Sequence, residues 1–228
     1  MEITQEFALE RIVRVTNNPL ENRTIEIDEK ILRGSFNELT KGCNADKMAL
    51  LSRADVYYAV KRGDKKFIKS IRKDTKESWV VLNPIHNYKG SQFADIVHYE
   101  GSKVINPVIC KDLFVPIWNK VSLYDVLEIQ EGLVYFQVCE GTKDNAKAIK
   151  KAYHELTGLK ADEIFIYTPD AESRIQRPKR ASGFGYINGE FHVDGYGYLN
   201  FSGRSRGVRI SVTKKISTGN KKWIQNKN

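Results

Sequence analysis

The spacing of apolar residues divides the chain into segments of recognisable type. "EFALERIVRV" (6–15) reads as a short helix and "NRTIEI" (22–27) as a strand. "DEKILRGSFNELTK" reads as helical up to Gly42. Val56, Tyr58 and Val60 recur at period two, "KRGDKK" carries a Gly-Asp turn, and Phe67–Arg72 returns, so 55–73 reads as a β-hairpin. Trp79–Leu82 reads as a strand, "NPIHNYKG" as a loop, and "ADIVHY" and "KVINPVI" as short strands. "SLYDVLEI" follows with a turn of helix. "GLVYFQVCEG" (132–141) is a nearly unbroken apolar run between glycines, the pattern of a central strand. "DNAKAIKKAYHELTG" carries Ala146, Ile149 and Tyr153 at helical spacing before Gly158, and "DEIFIYTPD" follows as a buried strand. Together these predict a βαβ unit. From Ser182 onward, glycines and aromatics alternate closely, as in a β-meander. The predicted fold is α+β: a mixed β-sheet with flanking helices and a β-rich C-terminal part.

Composition supports one folded domain over 1–228. The apolar content is 41% and the aromatic content 11%, and 228 residues suffice for a sizeable core. No stretch reaches the roughly 18 apolar residues of a membrane span. The first residues carry acids where a signal peptide has its basic region, which predicts a cytoplasmic protein. Cys43, Cys110 and Cys139 are odd in number and far apart, the pattern of reduced packing residues.

Charge sharpens the picture. The net charge is +9, yet residues 171–228 hold 12 cations and 3 acids, while residues 1–170 hold 25 of each. An excess confined to the last quarter predicts an electrostatic footprint for a polyanion. Its candidate DNA contacts are Arg177, Lys179 and Arg180 in the loop-borne "RPKR", Arg204, Arg206 and Arg209 around the glycine-bounded "GRSRG", and Lys214.

The hairpin adds candidate chemistry. Asp55 begins its first strand, and Ser70 and Arg72 share a face of its second, two residues apart. A carboxylate at a strand start, with a metal ligand and a cation on the next strand, is the layout of metal-dependent phosphodiester cleavage. Residues 34–80 thereby resemble the PD-(D/E)xK nuclease superfamily and, within it, type II restriction endonucleases. "GSFNEL" offers Glu38, "RADVYYAV" offers Asp55, and "FIKSIRK" stands as the second motif strand. Ser70 replaces the usual acid, and Arg72 the usual lysine, or Lys73 if the register slips by one. The resemblance implies a Mg2+-dependent endonuclease of a restriction system that cuts double-stranded DNA at short sites as a homodimer. Asp55 and Glu38 would hold the metal, with Asp74 an alternative carboxylate, and 1–170 would be the catalytic core.

A second constellation, His192, Asp194 and Tyr196, lies at period two in one predicted strand. It offers a general base without metal and suits a restriction-type DNA glycosylase acting by base flipping. A third reading has no chemistry, only a DNA-binding protein with the basic β-rich end as its platform.

Overall fold

The computed structural model describes residues 23–46, 48–98, 108–200 and 202–212. It has an α+β fold built on a mixed sheet of ten strands. The strands are β1 (Arg23–Gly34), β2 (Ala49–Leu50), β3 (Val80–Lys89), β4 (Phe93–His98), β5 (Val108–Phe114), β6 (Asn119–Ser122), β7 (Ile164–Tyr167), β8 (Lys179–Ile187), β9 (Glu190–Tyr198) and β10 (Gly203–Val212). Their main order is β1-β10-β3-β8-β9-β7-β6, with β2 paired to β10 and β4–β5 branching from β3. Among the described residues, β10 with β3 and β7 with β9 run parallel and the other pairs antiparallel. The helices are α1 (Phe36–Ala45), α2 (Arg53–Lys61), α3 (Lys65–Glu77), α4 (Leu123–Glu128), α5 (Gln130–Glu140), α6 (Ala146–Thr157) and α7 (Ala171–Gln176).

Strand alternation sets two cores on opposite faces. In β3, Val80, Leu82 and Tyr88 join the large cluster that holds α2, α3, α4, α5 and α6. Val81 and Ile85 join a smaller cluster under α1, with Phe36, Leu39 and Cys43. A register irregularity between Leu82 and Ile85 contains Pro84, which has no N–H to give a ladder. Within the large cluster Arg53 is 1% exposed, and its Nε bonds Glu140 at 2.8 Å. Glu140 also accepts from the Tyr153 hydroxyl at 2.7 Å. All three cysteines are buried, and burial pushes the Cys139 thiol up to about 12 and the Cys43 thiol up to about 11. No helix among the described residues is long and apolar enough to cross a membrane.

The C-terminal β structure, the strand at β4, and helices at α4 and α6 follow the sequence pattern; of the strand expected at 103–109, residues 108 and 109 open β5 and the rest lie outside the described residues. The β8–β9 hairpin turns on Asn188 and Gly189, both at positive φ (51° and 84°), as a two-residue turn between strands requires. Four expectations are corrected. The segment 28–34 is strand, not helix, and "NPIHNYK" continues β3 instead of forming a loop. The run at 132–141 is α5, a helix apolar nearly all round because it is buried between other elements, so no βαβ unit forms there. The hairpin at 55–73 is two helices, α2 and α3, joined through Gly63 at φ 71°. Ser52 and Asp64 cap their N-termini, and Phe67 and Ile71, four apart, fix the buried side of α3. The helix expected at 6–15 lies outside the described residues.

Candidate nucleic-acid interface

The two carboxylates assigned to a metal are helix caps. Asp55, 3% exposed, is the third residue of α2, and its Oδ2 accepts from the Ser52 N–H at 3.0 Å and the Ser52 hydroxyl at 2.7 Å. Glu38 does the same for α1, accepting from the Ser35 N–H and hydroxyl, both at 2.7 Å. The Ser35 bonds hold its carboxyl below the usual range. The two carboxylates serve helices in different clusters, and among the described residues no three His, Cys, Asp or Glu side chains group in a way that would hold a metal ion. Ser70, Arg72 and Lys73 all lie on α3, where residues two apart point about 200° from each other, so Ser70 and Arg72 share no face. The Arg72 guanidinium instead donates to the Leu156 and Glu155 carbonyls (2.7 and 2.6 Å), in the last turn of α6. Lys73 is exposed, 3.9 Å from Glu77. The strand layout that carries the nuclease resemblance is therefore absent from 55–73.

The arginine-rich C-terminal part turns mostly inward. Arg180 is fully buried, its Nη2 on the Ser173 carbonyl at 2.9 Å and its guanidinium 4.1 Å from the Tyr198 ring centroid. Arg204 and Arg206, each 8% exposed, belong to an interior strand and not to a flexible tip. Arg204 pairs with Glu77, and Arg206 forks onto Asp74 at 2.6 and 3.1 Å. All three expected DNA contacts are thus buried and engaged by partners within the chain. Arg177 and Lys179 are exposed, with Arg177 4.9 Å from the Tyr198 ring centroid. The side chains of Arg209, Asp194 and Tyr196, and all of Lys214, lie outside the described residues.

His192 stands between Tyr167, stacked at 4.7 Å, and Phe165, edge-on at 6.4 Å. Its nearest described carboxylate is Glu190, 3.6 Å from Nε2, and Glu190 is bonded by Lys120 at 2.7 Å. Burial lowers the His192 pKa, with Glu190 acting against it, so the ring is neutral at physiological pH. The Lys120 bond lowers the Glu190 carboxyl, which weakens it as a base. Glu190 stands two residues from His192, at the same period as Asp194, and was legible as an equal candidate.

The strongest uncovered charge lies on α3. Lys65, Lys69, Lys73 and Lys76 fall at i, i+4, i+8 and i+11, and all four are exposed, as is Lys66 beside them. At about 1.5 Å per residue the stripe runs roughly 16 Å. The two acids of α3 both point to β10: Asp74 is buried on Arg206, and Glu77 bonds Arg204. Helix α6 packs beside α3 and adds exposed Lys147 and Lys151, and exposed Arg62 caps the C-terminus of α2. The sequence shows these lysines plainly; reading 65–77 with helical period brings them onto one face. No family of proteins matches the chain, and no curated protein or solved structure is significantly similar to it.

Proposed function

We propose that the chain binds nucleic acid, double-stranded DNA in the first instance, through the lysine stripe of α3, with α6 and Arg62 as its margins. One observation carries this reading: Arg206 and Arg204 of β10 pair with the two acids of α3, burying Asp74 and leaving Glu77 as the one exposed acid of that helix against five exposed lysines. A surface of this kind attracts a polyanion through phosphate contacts and counterion release. Insertion into an anionic membrane requires apolar side chains beside the cations. None of the exposed large apolar residues, Phe93, Ile117, Tyr124, Ile129, Ile175 and Ile187, lies on α3. The hydrolysis implied by the nuclease resemblance is not part of this reading, because its carboxylates cap helices.

The test is fluorescence anisotropy with a labelled DNA duplex. The triple variant Lys65→Glu, Lys69→Glu, Lys76→Glu changes exposed positions only and is expected to bind at least about 30-fold more weakly at low salt. Arg177→Glu with Lys179→Glu is expected to bind as the parent does. Equal affinity of the triple variant and the parent, or loss confined to the Arg177/Lys179 variant, overturns the proposal.

A further inference from the structure

We infer, resting on the reading of α3 as the nucleic-acid surface, that this surface grips the sugar–phosphate backbone of a duplex and does not read its base sequence. Base identity is fixed best by side chains with forked, planar hydrogen-bonding ends, arginine onto guanine and asparagine or glutamine onto adenine; lysine also reaches guanine, but as one mobile charge without a fixed fork. Helix α3 has no asparagine or glutamine, and its one arginine is spent. The Arg72 guanidinium is held on the Glu155 and Leu156 carbonyls of α6 and cannot leave without uncapping that helix. Every other exposed cation of α3 is a lysine, a compact charge on a flexible four-carbon stem that follows any phosphate.

The helix cannot rotate to offer a different face. Phe67 and Ile71 anchor it in the large core, Asp74 is forked by Arg206, and Glu77 is held by Arg204. The flanking α6 again presents Lys147 and Lys151, with His154 occupied through Nδ1 on the Leu159 carbonyl. Arg62, at the end of α2, is the exposed forked cation at the margin, set at a helix end and not along the stripe. A lysine row with its orientation fixed by one buried and one half-exposed ion pair is a device for contact that depends on phosphate geometry and salt, and is indifferent to which bases lie between.

The experiment is selection of a random-sequence duplex pool on the full chain, followed by competition of unrelated duplexes of equal length against one labelled duplex. The expected result is no enriched motif after selection and competitor affinities within about 3-fold of one another. Arg62→Lys keeps the charge and removes the exposed fork at the margin, so it reports whether that side chain reads any preference that selection finds. An enriched motif, a preferred duplex more than about 30-fold tighter than the rest, or a sequence preference lost in Arg62→Lys overturns this inference while leaving nucleic-acid binding intact. Absence of binding to any duplex, or equal binding to vesicles containing anionic lipid, overturns the underlying reading instead.

Discussion

Asp55→Ala separates a capping carboxylate from a catalytic one. The substitution removes the acceptor of two donors, the Ser52 N–H at 3.0 Å and the Ser52 hydroxyl at 2.7 Å, at a site where Ser52 is 4% and Asp55 3% exposed. The hydroxyl keeps a role, since it still accepts from the backbone N–H of residue 55 at 3.0 Å. The Ser52 N–H cannot turn away, so the loss is one stranded buried donor with the Ser52 cap bond kept, about 1–3 kcal/mol. For a domain of this size that is a melting-temperature drop of about 2–12 °C. Asp55→Asn retains an acceptor oxygen and is expected to lose less than the alanine variant. Urea unfolding followed by far-ultraviolet circular dichroism reads the effect as a lower midpoint at unchanged slope, while duplex affinity stays at the parent value. The reasoning fails if Asp55→Ala unfolds within about 0.5 kcal/mol of the parent. It also fails if Mg2+ raises the melting temperature of the parent but not of the variant.

Two further outcomes follow from the described contacts. Arg206→Ala strands the Asp74 carboxylate, 2% exposed, and is expected to destabilise the fold by about 3–5 kcal/mol, with duplex affinity changed little in the folded fraction; a large affinity loss with unchanged stability would make Arg206 a DNA contact. His192 is held below its ordinary pKa of 6.5 by burial, so the unfolded chain takes up that proton first. Stability is therefore expected to fall as pH drops through about 6.5 and to level once the folded ring is protonated. His192→Phe, measured by the same unfolding assay, is expected to flatten that window and leave the lower, carboxylate-driven loss in place; an unchanged slope contradicts the assignment.

The sheet was largely legible because strands such as β8 and β9 announce themselves by alternation and by the Asn188–Gly189 turn. Segment 53–77 was not, because Val56, Tyr58 and Val60 satisfy period two while Val56, Tyr57 and Val60 equally satisfy a helix. What decides between them is local capping, Ser52 with Asp55 three residues on, which a search for a metal carboxylate reads as chemistry. The run 132–141 is ambiguous for a related reason: an element buried on all sides has no polar face to reveal its period. The charge count did not reveal which cations are exposed. A formal excess over 171–228 says nothing of burial, and the partners of Arg204 and Arg206 lie 127 and 132 residues away in sequence, on a helix that had been read as a strand. The lysines of 65–76 were visible from the outset. Only their arrangement on one side of a helix was hidden.

The slope of duplex affinity against salt tests the central claim most directly. Measured for the parent and for the Lys65, Lys69, Lys76 triple glutamate variant, log K against log salt is expected to be steep and linear in the parent. In the variant it is expected to be shallower by about 0.9 for each lysine that neutralises a phosphate, close to 2.7 in all. Identical slopes would mean that the stripe on α3 touches no phosphate and is an ordinary solvated surface.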